Sequence, residues 1–300
     1  MANERELNKR IRSVKNISQV TSALAAVSAA RARKSQNRVM ATRSYAEKAF
    51  EMLHNVAAQA KENDHPMLTV RPDVKNNYLI LITGDRGLAG SYNANIVTLA
   101  ERFVRALPES SQIITVGRKG RDLMIRRGYD VIATFDAVRD DASILDVTPI
   151  AQVAVDDYLA GKCDEVFIAY TDFVNLVTRI PRVKQLLPLR PKEFEGMAVS
   201  EYVSSVDLSG VAERAYTYEP SPEGLLDTIV PRFTDLQLYQ SVLESQASEH
   251  RARMVAMNNA TDNADVWVDE LTLLRNRARQ TTITNEMLDI AGGAEALTTR

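Results

Sequence analysis

The residues Gly84-Asp85-Arg86-Gly87-Leu88-Ala89-Gly90 carry the strongest hint of chemistry in this chain. They follow an apolar run and precede a helix-compatible segment, the context in which a glycine-rich loop cradles phosphate. The spacing is not G-x-G-x-x-G, and no Gly-Lys-Ser/Thr follows. The lysine and the Mg²⁺-binding hydroxyl of a nucleotide triphosphate site are therefore missing. A tight strand-to-helix turn with an Asp–Arg pair explains the same residues without a ligand. Gly117-Arg118-Lys119-Gly120-Arg121 poses the same choice, between an anion site at a helix start and a plain surface turn.

Other candidates fall away on spacing. Asp140–Asp141 and Asp156–Asp157 are sequence neighbours, which do not face one another on a helix and make poor acid/base dyads. His54, His65 and His250 have no metal-ligand spacing, and Cys163 alone excludes an intramolecular disulfide and fits a reducing compartment. No G-x-S-x-G, H-E-x-x-H or catalytic cysteine context occurs. No catalytic residue, cofactor or metal is expected.

Ten Lys or Arg occur up to Arg43, against Glu4 and Glu6. A nucleic-acid arm would look like this. Yet no aromatic is interleaved before Tyr45, and the basic residues fall on several faces. A solvated face, or a surface for acidic partner subunits, fits better. A net charge of −2 offers no global attraction to nucleic acid or an anionic membrane. Nowhere do apolar residues run long enough to span a bilayer. Thr21 to Ala30 is small and apolar like a signal segment, but a charged stretch precedes it and its alanines keep helical spacing.

The elements that must position these residues show in the helix breakers. All ten prolines and ten of the twelve glycines lie between Pro66 and Pro231. The first 65 residues and the 60 from Arg232 to Ala291 have neither type, so both can run as long helices. Sixty helical residues span about 90 Å, and a domain of the middle segment's size is about 40 Å across, so the arms should project from it. In the first arm Leu7, Ile11, Val14, Ile17, Val20, Leu24 and Val27 form an apolar stripe. In the second, Met254, Met257, Thr261, Ala264, Val268 and Leu271 make a heptad-like seam that Leu274 and Ala278 continue. Each arm has one seam and no internal partner, so they should pair as an antiparallel coiled coil.

Between the arms, Tyr78–Thr83, Gln112–Val116, Asp130–Phe135 and Asp164–Tyr170 read as strands. Helix-compatible segments around Ile96–Leu107, Gly120–Arg127 and Ile150–Leu159 separate them. This alternation predicts βαβ units and a Rossmann-like α/β domain with a largely parallel sheet. Val177 to Leu189 could add an extended strand, which Pro181 and Pro188 would confine to an edge or a loop. Arg190 to Pro231 reads as loop-rich. The expected division is 1–65 for the first helix, 66–220 for the α/β domain with its connecting loop, and 221–300 for the second helix.

Arg275-Asn-Arg-Ala-Arg279-Gln280-Thr-Thr-Ile-Thr284-Asn-Glu286 places arginines, a glutamine and threonines on the polar side of the second helix. The β-branched run from Thr281 is poor for an isolated helix, so an external partner could brace it. With Glu244-Ser-Gln-Ala-Ser-Glu249, Arg253-Met-Val-Ala-Met-Asn and Ala260-Thr-Asp-Asn263, this pattern resembles the gamma subunits of F-type ATP synthases. The opening helix (Leu7 to Asn16 and Ala32 to Arg38) and the Gly84–Gly90 loop with Asn93 are similar to the same family, over essentially the whole chain.

The resemblance implies a central rotor shaft whose coiled coil sits inside a ring of alpha and beta subunits and performs no bond chemistry itself. It implies a grip by a catalytic beta loop at Arg279, Gln280 and Thr284, with Glu286 close by, and a second contact at Lys34 and Arg38. It also implies that the α/β domain sits on the membrane c-ring and binds an epsilon-type subunit, with Gly84, Asp85, Arg86, Gly87 and Gly90 as a structural turn. Ala89 and Ser91 replace a cysteine and a glycine frequent in the family, and Leu24 and Ala26 stand where methionines are common. A thiol switch of the chloroplast kind is excluded by the lone Cys163. The match begins within the first ten residues, so a bacterial-type location at the cytoplasmic face is expected. The rival readings are a nucleotide- or phosphate-binding α/β enzyme and a DNA-binding coiled coil.

Overall fold

The computed structural model describes residues 4–59, 65–173, 179–189 and 221–298. The elements are α1 (Glu4–Gln59), β1 (Asn76–Ile82), α2 (Tyr92–Ala106), β2 (Ser110–Val116), α3 (Arg118–Arg126), β3 (Val131–Phe135), a 3-10 turn at Ile144–Asp146, α4 (Thr148–Leu159), β4 (Glu165–Phe173), β5 (Arg179–Leu187) and α5 (Pro222–Thr298). Contacts divide the chain into two units, Met1–Ser28 with Met254–Arg300, and Ala29–Arg253. α1 and α5 each contribute to both.

In the terminal unit the two helices pair antiparallel. Ser18 Oγ donates to Asp265 Oδ1 at 2.8 Å, the hydroxyls of Thr21 and Thr261 lie 2.7 Å apart, and Arg275 reaches Asn8 Oδ1 at 3.5 Å. As the α1 partner number rises, the α5 number falls. The α5 side of the seam is Met254, Met257, Thr261, Ala264, Val268, Leu271, Arg275 and Ala278, all at least half-buried. Leu274 is 50% exposed, and the stem of Arg275 takes its place.

The α1 side departs from the apolar stripe after Val14. The covered positions are Leu7, Ile11, Val14, Ser18, Thr21, Ala25 and Ser28, in alternating steps of four and three, while Ile17, Val20, Leu24 and Val27 face outward. The stripe steps by three too often to hold the 3.5-residue period that keeps a seam facing its partner. Period wins over hydrophobicity here, and small hydroxyl and methyl groups let the helices approach closely. Among the polar members, Ser18 bonds across the seam, and Ser28 bonds its own helix, with Oγ donating to Leu24 O at 2.7 Å.

In the second unit a five-stranded sheet runs β3-β2-β1-β4-β5, with β1 to β4 parallel and β5 antiparallel to β4 at the edge. Pro181 stands opposite Thr171 on that edge strand, where no further ladder needs its missing N–H. The apolar run in β1 is buried on both faces, as helix-covered parallel sheets require. Leu79 and Leu81 pack with Ile96, Val97 and Met124 of α2 and α3. Tyr78, Ile80 and Ile82 pack with α4 and with Phe50, Leu53, Val230 and Phe233 of the long helices. The same 4–3 spacing on α1 continues through Ala32, Ser35 and Val39 into that core.

The second long helix begins earlier than the loop-rich reading to Pro231 expects. Ser221 Oγ accepts the Gly224 N–H at 3.2 Å, and Pro222 follows as the first helical residue, where a proline costs nothing. Pro231 then lies inside α5, at a cost of about 3 kcal/mol. Burial of Leu226, Val230 and Phe233 against the core offsets that loss. The remaining loop-rich stretch, 190–220, lies outside the described residues.

A seam set by close approach should tolerate loss of its outward stripe better than added bulk. Ala25→Leu is expected to destabilise the chain by about 1–3 kcal/mol, and Val20→Ser by under about 0.5 kcal/mol. Helical melting followed by circular dichroism reads both, and the opposite ranking would return the seam to the apolar stripe.

Candidate functional site

The first four N–H groups of a helix have no helical carbonyl to bond. In α3 all four are taken from within the protein. Gly117 N, at the cap, donates to Phe135 O at 2.8 Å, Arg118 N to Asp85 Oδ1 at 2.9 Å, Lys119 N to Gly84 O at 3.1 Å and Gly120 N to Thr83 Oγ1 at 2.9 Å. Asp85 also accepts from Ala137 N at 3.1 Å, and its ion pair is with Arg118 at 3.6 Å rather than with its exposed neighbour Arg86. The loop after β1 thus supplies its own anion to the positive end of α3. A phosphate finds no free amide there.

Two glycines of this region are closely approached, Gly117 by backbone and Gly84 by a side chain. Gly117 has φ +98°, and a Cβ on it would lie 2.1 Å from Thr83 O. A Cβ on Gly84 would meet the Glu249 carboxylate at 2.6 Å. Gly84 N donates to Asn93 Oδ1 at 2.9 Å, and Asn93 Nδ2 to Arg86 O at 3.4 Å, so the loop is tied to the first turn of α2.

A cavity of about 200 Å³ opens beside this loop, past the carboxyl ends of β1 and β2, where open α/β sheets commonly hold ligands. Its charged groups are largely paired with one another. His250 Nε2 lies 2.8 Å from Asp140 Oδ1, Arg31 lies 3.5 Å from Asp140 Oδ2, and Arg253 bonds Glu249. The hydrogen bond from His250 leads in holding the Asp140 carboxyl below its ordinary value of 3.8, helped by Arg31 and Arg253 against the opposing effect of burial. This cluster was not legible as a site, because Asp140 and His250 are 110 residues apart. Only the i,i+4 pair Glu249–Arg253 shows in the sequence. Cys163 is buried, which pushes its thiol up to about 12 and leaves it unreactive. Among the described residues no His, Cys, Asp and Glu cluster could hold a metal ion.

The residues expected to meet a partner fall into two sets. Arg279, Gln280, Thr284 and Glu286 lie in the terminal unit, and all four are exposed. Gln280 and Thr284 share one face of α5, and Arg279 and Glu286 share another. The helix survives its β-branched run, with Thr281 Oγ1 bonding Arg277 O and Thr282 Oγ1 bonding Ala278 O, each at 3.1 Å. Lys34 and Arg38 lie on α1 within the other unit. Lys34 is exposed, whereas Arg38 is half-buried and donates to the Asp140 carbonyl.

The chain thus combines long paired helices, an α/β unit whose loop after β1 satisfies itself, and exposed polar residues near a helix end. A sequence model of the ATP synthase family matches residues 3–297. The ATP synthase gamma chain of Chloroflexus aurantiacus is 42% identical over 303 residues, covering 99% of this chain and 100% of that one. That of Dehalococcoides mccartyi is 43% identical over 299 residues, covering 99% and 100%. This chain belongs to the ATP synthase gamma-chain family. Its fold is shared with a chain of the Euglena gracilis mitochondrial ATP synthase (OSCP/F1/c-ring), at TM-score 0.67 and 17% identity over 98% of this chain and 94% of that one. A chain from the central stalk and c-ring structure of the Tetrahymena thermophila enzyme gives TM-score 0.59 and 24% identity over 80% and 99%.

Gly117→Ala should lower stability by about 3 kcal/mol or more, read as a shifted urea midpoint, because neither the backbone angle nor Thr83 can yield cheaply. Asp140 titrates lower when folded than when unfolded. Its contribution is therefore present above the ordinary carboxylate value and is lost as pH falls through the folded value. Asp140→Asn should lower the melting temperature at pH 7, with the gap from wild type closing below about pH 4. A gap independent of pH would contradict this.

Proposed function

We propose that the chain is the rotor of the central stalk in a proton-translocating F-type ATP synthase, coupling rotation of a membrane c-ring to ATP synthesis or hydrolysis in a ring of alpha and beta subunits. The observation that carries this reading is the end of α5. From Arg279 to Ala294 every side chain is exposed, Ile283, Met287, Leu288 and Ile290 among them. A helix with apolar groups on an uncovered surface needs an enclosing partner. The outward stripe of Ile17, Val20, Leu24 and Val27 on α1 makes the same demand.

In this reading Arg279, Gln280, Thr284 and Glu286 meet a loop of the catalytic beta subunit, with Lys34 offering a second cationic contact. Arg38 is partly committed to Asp140 and contributes less. The faces of the two-helix unit differ chemically around its circumference. Each catalytic subunit therefore meets a different contact energy as the shaft turns, and its open and closed states are repopulated accordingly. Bond chemistry resides in those partners, and an epsilon-type subunit and the c-ring engage the α/β unit. Attachment in this reading is peripheral, at the cytoplasmic face; among the described residues no helix is long and apolar enough to cross a membrane. A nucleotide-binding enzyme is disfavoured because the α3 amino terminus is already filled by Asp85.

Co-expression with alpha and beta subunits should yield a complex that retains this chain. The triple variant Arg279→Ala, Gln280→Ala, Thr284→Ala should keep the chain's melting temperature, since exposed side chains contribute little to folding, while ATP turnover by the complex falls roughly tenfold. Alpha–beta complexes that form but never hold the chain would overturn the proposal.

A further inference from the structure

Residues 137–142 connect β3 to the 3-10 turn at Ile144–Asp146 and form neither helix nor strand. Side chains from three parts of the unit nevertheless hold them. From the loop after β1, Asp85 accepts the Ala137 N–H. From α5, Gln246 Nε2 donates to Val138 O at 2.7 Å and Arg139 O at 3.2 Å, His250 bonds the Asp140 carboxylate at 2.8 Å, and the Tyr239 hydroxyl donates to Ala142 O at 3.1 Å. From α1, Arg38 donates to Asp140 O and Arg31 faces its carboxylate at 3.5 Å. Asp140 alone is bonded to both long helices.

Apolar packing resists separation of two surfaces but is non-directional. Hydrogen bonds weaken steeply when bent, so they resist sliding and twisting. Val138 and Ala142 pack against apolar neighbours, but the cavity of about 200 Å³ lies against the segment at Ala137, Val138 and Asp140, so bonds carry much of the connection there. Tyr239 to His250 covers three turns of α5, long enough to oppose rotation of the helix about its own axis.

We propose that residues 137–142 are the joint through which turning force passes between the sheet and both long helices, with Asp140 as its central positioning residue. The inference rests on the rotor reading and adds the element that makes the α/β body turn as one piece with α1 and α5.

The test uses the assembled complex with its catalytic ring immobilised and a bead on the α/β body. Angular fluctuations are recorded with the complex stalled. Asp140→Ala should raise their variance roughly twofold, and Asp140→Asn, which keeps an acceptor for His250, should raise it less. Tyr239→Phe removes one hydroxyl without changing packed volume and serves if Asp140→Ala fails to assemble. It too should raise the variance. Variance equal to wild type in assembled Asp140→Ala or Tyr239→Phe complexes overturns the joint while leaving the rotor intact. A wild-type complex that hydrolyses ATP with a motionless bead overturns the rotor reading instead.

Discussion

The spacing of small side chains along α1 is the constraint on which the rest of this structure depends. Steps of four and three run from Leu7 through Thr21, Ala25, Ser28, Ala32 and Ser35 to Val39, and the same face then enters the core at Ala46, Phe50 and Leu53. One helix face thus serves as coiled-coil seam in the terminal unit and as core in the α/β unit. The cost is that the larger apolar residues Ile17, Val20, Leu24 and Val27 are left outside. In a free-standing protein that would be a defect, and in a protein enclosed by partners it is a contact surface.

The charged groups of the α/β unit follow a related logic. Asp85 fills the amino terminus of α3, Glu249 pairs with Arg253, and Asp140 gathers His250 and Arg31. A crevice that in other α/β proteins would hold a ligand is here lined by charged side chains largely paired with one another. The fold has kept the architecture of a binding domain and used its polar positions to connect elements. Side chains available to a partner stand instead at the end of α5, where no second helix covers them.

Much of this was legible in the sequence. The four parallel strands lie within two or three residues of their expected bounds, because short apolar runs between breakers have few alternatives in a helix-covered sheet. Pro181 allowed β5 only at an edge or in a loop, and the sheet puts it at the edge. The seam on α5 followed from its heptads, except where Arg275 displaced Leu274. The α1 stripe misled after Val14, because hydrophobicity marks what must be covered without saying by what. Ile17 stands 53% exposed among the described residues, and Ser18 takes the seam because the period puts it there. The residues just before Pro231 read as loop although α5 already runs through them, because buried neighbours override the proline's local penalty. The Asp140 cluster was hidden by distance along the chain, since an ion pair between residues 140 and 250 leaves no mark in spacing.

The central claim is that this chain turns as the shaft of a rotary enzyme, and direct observation of rotation tests it most plainly. In an immobilised alpha–beta complex carrying this chain, with a bead fixed to the α/β body, the account predicts continuous rotation in one direction while ATP is supplied. Steady ATP hydrolysis by a complex that retains the chain, with the bead stationary or turning in both directions at random, would contradict it.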